Sequence, residues 1–382
     1  MTAPQEHPPF EVTFLDKLQR LLAEGLFTAT YKFAVLIGLV ELSVEALPGT
    51  DTFTTRQLAE KVANLYWPQV LPFDDIKLRQ SGQQARIVAA VDDFRTEVTR
   101  GGNAGGLLSS ARARSPGRWN RMVLEVEKSL IFMPLPRLQE LPSGTDEFLY
   151  RIGWTLEEAR ESSHGLQKNV SAYQRGLPGC FDNRIVMQDK VVPTLARFQG
   201  LVRELVEARW VRKVRDLNGD RLEDRDLQRH LFGFDREQLS LVAEPLLELN
   251  EGRCFYCGGR AVKAHVDHFI PWARYPDNRL VNLVPAHDSC NGAKSAYLAS
   301  AEHVDHWLQR FTQPAVHRHL ETIANQIRWP LGNDETLAVS RVLYAQQPEG
   351  ARLWYARGVF RQFERADIGV RIDAAIQARR AA

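Results

Sequence analysis

Four side chains that can bind a metal ion cluster in one short segment of this sequence. Cys254 and Cys257 are separated by two residues, and His287 and Cys290 repeat that spacing further along the chain. Two such pairs provide a tetrahedral set of nitrogen and sulfur ligands with no open position, which is how structural zinc is held. Zinc bound in this way stabilises folding and does not itself activate water. The spacing therefore predicts a structural zinc site, with His265 as an alternative to His287 for the fourth ligand.

Residues suited to phosphodiester hydrolysis lie between and after these pairs. Asp267 and His268 are adjacent in the stretch VDHFIP, so in an extended segment their side chains face opposite ways. The carboxylate can hold a divalent cation, while a neutral imidazole with a pKa of about 6.5 can take a proton from water. Asn291 directly follows the last cysteine, and we predict that its carbonyl oxygen is a second ligand to Mg²⁺. Lys294 lies one turn later on the same helical face, where it can support the phosphate.

These motifs resemble the HNH endonuclease family, whose fold is two strands and a helix around a metal. The resemblance covers residues 254–294 of the 382 in the chain. It implies that His268 is the general base, that Asp267 and Asn291 hold Mg²⁺ or Mn²⁺, and that the products carry a 5′-phosphate and a 3′-hydroxyl.

The resemblance also implies roles for further residues in the segment. The family's central asparagine, which holds the loop and orients the base, matches Asn282 in VNLVP, and its common lysine matches Lys294. One difference from the family concerns zinc. Many zinc-bearing members have a second Cys-x-x-Cys, whereas His287 occupies its first position here.

The elements that must position this site are mostly helical by their periodicity. Gly25 is a plausible break between two helices, and Thr54 is a possible helix cap. Residues 122–142 mix strand-like and proline-rich character and predict a small sheet. The predicted helical ranges are 11–48, 54–62, 84–98, 192–215, 237–249, 301–311, 316–327 and 358–379.

The expected fold class is mainly α with a small α+β module. We expect a helical N-terminal region over 1–100, a helical or mixed middle region with basic patches over 101–240, the zinc-stabilised ββα nuclease module over 241–300, and a helical C-terminal region over 301–382. Gly101–Gly106 is the clearest linker or flexible loop.

A group of arginines around Trp119 could contact phosphates, although it is equally consistent with a solvated charged face. Similarly, 54–62 could belong to a DNA-reading helix-turn-helix or simply pack against the core. The arginines around Trp119 are Arg112, Arg114, Arg118 and Arg121. The predicted helix over 192–215 is basic on one side, with Arg203, Arg209, Arg212, Lys213 and Arg215.

Composition limits the other function classes. Hydrophobic residues make up 44% and charged residues 25%, and 49 basic and 47 acidic side chains leave a net charge of only +2. These values are ordinary for a soluble globular protein, and with no signal-like or membrane-spanning stretch we expect a cytoplasmic protein. Four cysteines in a chain of 382 residues do not form a disulfide scaffold. Cys180 is interpreted as an inert thiol, and His303 and His306 as surface residues.

The sequence thus predicts a metal-dependent HNH endonuclease that hydrolyses DNA, in the setting of bacterial restriction or phage defence. One such module cuts one strand, so a double-strand break requires a dimer or two successive events. The expected partners besides DNA are a second copy of the chain or a partner defence subunit. Two alternatives remain open at this point. One is a zinc-stabilised nucleic-acid-binding module without catalysis, and the other is an RNA-cleaving effector.

Overall fold

Helices dominate the architecture, as the sequence predicts. The computed structural model describes residues 8–82, 85–99, 108–161, 165–219, 224–233, 239–263 and 265–381. The α-helices in chain order are α1 Phe10–Glu24, α2 Tyr31–Glu45, α3 Thr55–Gln69, α4 Arg86–Thr99, α5 Leu108–Arg114, α6 Pro116–Phe132, α7 Leu156–Arg160, α8 Gly165–Gln174, α9 Val191–Arg197, α10 Gln199–Asn218, α11 Asp224–Phe232, α12 Ser240–Leu249, α13 Asp288–Lys294, α14 Ala301–Thr312, α15 Pro314–Ile327, α16 Asn333–Ala345 and α17 Arg365–Ala381.

The strands are short and pair antiparallel. They are β1 Thr52–Thr54, β2 Glu140–Leu141, β3 Gly144–Thr145, β4 Tyr150–Ile152, β5 Arg184–Met187, β6 His265–His268, β7 Leu283–Ala286, β8 Arg352–Ala356 and β9 Val359–Gln362. One sheet has the order β1-β5-β4, and the remaining strands form the pairs β2–β3, β6–β7 and β8–β9. The fold class is therefore mainly α with small β elements.

The chain divides into two compact units. Unit 1 comprises 1–43, 48–100 and 116–233, and unit 2 comprises 44–47, 101–115 and 234–382. Over the described part of the chain, no helix combines the length and apolar character needed to cross a membrane.

The core of unit 1 is organised around α3. Thr54 caps this helix, because its hydroxyl accepts from the backbone of Gln57 while the Gln57 side chain accepts from the backbone of Thr54. The helix then buries Leu58, Val62 and Tyr66, and it packs against α4 and α6. This burial accounts for the amphipathic pattern of 54–62 by packing alone.

In unit 2, the β6–β7 hairpin and α13 form the predicted ββα arrangement. The ring of Phe269, just after β6, stacks on Trp307 of α14 with centroids 4.6 Å apart. Arg310, one turn later, is buried and donates to the carbonyl oxygens of Leu280, Val281 and Leu283 at 2.6–3.3 Å. Burial lowers the pKa of Arg310 to about 10. Helix α14 therefore anchors the backbone that leads into β7.

Two predictions about secondary structure are wrong in part. Within the sheet predicted over 122–142, Glu140–Leu141 form β2. Residues 122–132 instead belong to α6, because Met122, Val126 and Leu130 recur at helical spacing and are all buried. The helix predicted over 358–379 begins only at α17. Before it, Gly358 adopts a φ of +74° and turns the chain into β9. The predicted linker Gly101–Gly106 lies outside the described residues.

The helix break at Gly25 is confirmed, since α1 ends at Glu24. Range 192–215 also proves helical, but as two helices that meet at Phe198.

Several basic side chains in the ranges 112–121 and 203–215 have structural partners. Arg118 forms an ion pair with Glu97 at 3.3 Å, and Arg203 pairs with acidic groups of α2 and α10.

Candidate active site and metal centre

The four predicted zinc ligands converge. The ligand atoms of Cys254, Cys257, His287 and Cys290 all lie within 4.8 Å of one another. A tetrahedron with metal–sulfur bonds of about 2.3 Å has edges of about 3.8 Å, so the cluster has suitable dimensions for zinc. His265 lies outside the cluster on exposed β-strand surface, where its Nδ1 is 3.7 Å from Asp288.

The chemistry of the cluster also fits a cation. His287 Nε2 lies 3.1 Å from the Arg260 carbonyl oxygen, so this nitrogen carries the proton and Nδ1 presents its lone pair, 3.3 Å from the Cys257 sulfur. Burial and the negative charges of Cys254 and Cys257 raise the pKa of Cys290 to about 12. Three neighbouring thiolates are therefore unfavourable unless a positive ion lies among them.

Asp267 occupies β6 opposite Val284 of β7, and it is buried. Its Oδ2 accepts a hydrogen bond from the Tyr256 hydroxyl at 2.6 Å and forms an ion pair with Lys294 at 2.9 Å. Burial and the charge of Asp267 raise the pKa of Tyr256 well above its ordinary value, so the phenol keeps the proton that it donates. Both contacts hold the same oxygen, so Oδ1 is the carboxylate oxygen that could hold a cation.

His268 ends the strand and is also buried. Its Nε2 lies 3.2 Å from Asn278 Oδ1, and its ring lies 5.4 Å from that of Trp272. Burial lowers the pKa of His268, and the neighbouring Asn278 and Asp267 offset only part of this effect. The imidazole is therefore neutral at physiological pH, as a general base must be.

The loop between the two strands is held from inside. Asn282 Oδ1 accepts from the Ile270 backbone at 2.7 Å, and its Nδ2 donates to the carbonyl oxygens of Ile270 and Asp277. Asn282 thus holds the loop, while Asn278 supplies the side-chain contact to His268. The buried Asp277 carboxylate in turn accepts hydrogen bonds from Arg279 and Thr336.

Helix α13 brings the remaining predicted residues against β6. The Lys294 side chain is completely buried, and its ammonium donates to the His268 carbonyl oxygen at 2.8 Å in addition to pairing with Asp267. Burial lowers the pKa of Lys294, whereas Asp267 opposes this effect. Asn291 precedes Lys294 by three residues, so it lies on the same helical face and is half-buried. Oxygen ligands from Asp267 and Asn291 fit the preference of Mg²⁺.

Several residues important to this geometry were not singled out from the sequence. Tyr256 lies between the two zinc cysteines, and its aromatic character was the only local sign of burial. Asn278 and Arg310 gave no periodic or motif signal. His303, expected at the surface, is buried against Tyr256 and Trp354 with ring centroids 5.3 and 5.6 Å away.

Comparison with known proteins agrees with this geometry. Residues 254–300 match the family model described as HNH endonuclease. This segment contains the zinc knuckle, β6, β7 and α13, so the chain carries an HNH nuclease module with a zinc-knuckle ligand set. No curated protein and no solved structure matches the chain.

Proposed function

We propose that this protein is a divalent-metal-dependent endonuclease that hydrolyses phosphodiester bonds in DNA. The observation that carries the proposal is the buried Asp267–His268 pair at the end of β6, next to the face of α13 that bears Asn291. A purely structural zinc module has no need for a neutral buried histidine beside a carboxylate with one oxygen open.

The roles follow from the contacts. Asn278 Oδ1 accepts a hydrogen bond from the N–H at His268 Nε2, so Nδ1 is the basic nitrogen that removes a proton from the attacking water. The water oxygen forms a bond to phosphorus as His268 takes its proton. The bond from phosphorus to the 3′ oxygen breaks, and that oxygen takes up a proton from solvent water. The products then carry a 5′-phosphate and a 3′-hydroxyl. A divalent cation, Mg²⁺ or Mn²⁺, supplies charge neutralisation at the phosphate and the leaving oxygen when held by Asp267 and Asn291.

Positioning of the carboxylate is shared between two residues. Tyr256 and Lys294 both bind Oδ2 of Asp267 from the buried side. Because a residue that holds a metal ligand fixes its orientation, both are positioning residues in this proposal. Lys294 therefore acts on the carboxylate and the strand backbone, in place of the phosphate contact that its motif position predicts.

Bacterial restriction or phage defence is the setting that we propose for this activity. The basis is organisational, since the nuclease module shares the chain with a separate, largely helical unit 1 that is available for recognising a target or partner. A single module produces a nick. Cleavage of both strands then requires a second copy or a second event.

Nicking of supercoiled plasmid tests the proposal. The unsubstituted protein should convert supercoiled to open-circular plasmid with Mg²⁺ or Mn²⁺ and should be inactive in chelator. His268→Ala should retain its melting temperature and lose activity by at least about 100-fold, the usual contribution of a general base. Equal activity of the two proteins, or cleavage of RNA alone, contradicts the proposal.

A further inference from the structure

The β8–β9 hairpin is a basic surface that the nuclease motif does not include. Residues 352–365 contain four arginines and one glutamate, Glu364, in a chain whose net charge is only +2. All four arginine side chains are exposed, although the neighbouring Leu353, Trp354 and Phe363 are buried. The apolar residues fix the hairpin to unit 2, and the arginines face solvent. They are Arg352, Arg357, Arg361 and Arg365.

Two of these guanidinium groups lie over aromatic rings. Arg352 is 4.0 Å from the ring centre of Phe360, and Arg361 is 4.2 Å from that of Tyr355. Stacking restricts an arginine side chain while leaving its charge and its N–H edge available. Arg361 also pairs with Glu302 at 3.3 Å. Among the described residues, Arg352 and Arg357 have no acidic partner, so their charge is not compensated locally.

The hairpin is joined directly to the nuclease module. Trp354 of β8 donates to the Leu298 carbonyl at 2.8 Å, and its own carbonyl accepts from Ser300 at 2.8 Å. Strand β8 therefore adds to the segment that follows α13. The Trp354 ring also lies 5.1 Å from that of Tyr256, the residue that binds Asp267.

An exposed path connects the hairpin with the loop that follows His268. Tyr297 lies three residues after Lys294 in the chain and is 41% exposed. Its ring packs on that of Phe360, with centroids 4.9 Å apart. Its neighbour Ala296 accepts a hydrogen bond from the Arg274 side chain at 3.0 Å. Arg274, Tyr297 and Phe360 thus form a continuous cationic and aromatic surface in unit 2, from the loop after His268 to the hairpin.

We infer that the β8–β9 hairpin binds the phosphate backbone of the DNA strand that the Asp267–His268 site cleaves. The inference rests on the proposed function, since it assigns a ligand surface to the same site. Arginines without acidic partners are suited to a polyanion, and neutralising phosphates is the main source of affinity for DNA. Stacked aromatic–arginine pairs provide a rigid contact that does not depend on base sequence.

Salt-dependent DNA binding tests this inference. The full chain carrying His268→Ala, which prevents cleavage, is titrated with a fluorescein-labelled DNA duplex at several KCl concentrations. Adding Arg352→Gln and Arg357→Gln should weaken binding at least tenfold near 0.1 M salt. It should also reduce the slope of log K against log salt by about 1.8, because each phosphate contact contributes about 0.9. The loss should be the same for unrelated duplex sequences.

Matched substitutions separate a local contact from a general charge effect. Arg318→Gln with Arg328→Gln removes two exposed arginines in and directly after α15. This pair changes the net charge by the same amount, and it should leave affinity and slope unchanged. Equal weakening by both pairs overturns the inference, as does unchanged binding after substitution of the hairpin. Failure of the unsubstituted protein to nick plasmid overturns the proposed function instead, and the two failures are therefore distinguishable.

Discussion

Removing the Lys294 charge should destabilise the nuclease module and should do so through Asp267. The Lys294 side chain is 0% exposed and that of Asp267 is 10% exposed, with 2.9 Å between Nζ and Oδ2. Lys294→Met keeps most of the aliphatic packing and deletes the ammonium. It leaves a buried carboxylate whose remaining described partner is the Tyr256 hydroxyl.

The expected loss of stability follows from the burial of the Lys294–Asp267 ion pair. Breaking a buried ion pair by removing one partner costs about 3–5 kcal/mol, because the other charge stays buried and uncompensated. Asp267→Asn should cost a similar amount, since it leaves the ammonium without its counter-charge. The double variant has neither charge, so its free energy of unfolding should exceed the additive expectation by about 2–3 kcal/mol.

Urea unfolding followed by tryptophan fluorescence measures these differences, in buffer that contains zinc and lacks Mg²⁺ and Mn²⁺. Buried Trp307 and Trp354 report on unit 2. The reasoning is refuted if the two single substitutions are additive in the double variant, or if Lys294→Met costs less than about 1 kcal/mol.

Three further predictions address metal, positioning and pH. Removing zinc, or substituting Cys254→Ser, should lower the melting temperature by more than about 10 °C, because binding of structural zinc is worth on the order of 10 kcal/mol of folding free energy; an unchanged melting temperature contradicts the knuckle. Tyr256→Phe should weaken Mn²⁺ binding about tenfold by calorimetry. The control Tyr344→Phe loses a buried hydrogen bond of 2.8 Å to a backbone carbonyl and should leave Mn²⁺ binding unchanged. Equal effects of the two substitutions would show that Tyr256 does not position Asp267. Burial raises the pKa of Glu127, so the native state binds this proton more tightly than the unfolded chain and loses stability as pH rises above the usual carboxyl range. Glu127→Gln should therefore gain melting temperature relative to the natural protein between about pH 4 and pH 7, and parallel profiles would show that the carboxyl is not responsible.

Elements with strong local periodicity could be predicted from the sequence. Ranges 301–311 and 316–327 place apolar residues at helical intervals and became α14 and α15 with small changes at their ends. The prediction failed where local pattern and long-range pairing compete. Residues after Gly358 can extend a helical pattern, but they pair instead with β8, whose Trp354 is bonded to the chain after α13. Such pairing depends on residues distant in sequence, which periodicity does not register.

The sequence alone identified the residues of this protein that are suited to metal binding and hydrolysis. The candidate zinc ligands Cys254, Cys257, His287 and Cys290, and the adjacent Asp267 and His268, are recognisable because coordination and hydrolysis require specific atoms at short, regular spacings. The convergence of the two cysteine and histidine pairs in space agrees with that expectation for zinc.

Only the tertiary structure decided how those atoms are held. Tyr256 and Lys294 meet on one oxygen of Asp267, and Asn278 contacts His268, since folding brings a zinc loop, a helix and a strand connection to the end of β6. None of these contacts is encoded by spacing. Each depends on which side chains are removed from water together, because a buried charge or hydroxyl is stable only with a partner, and burial is a property of the whole packed unit.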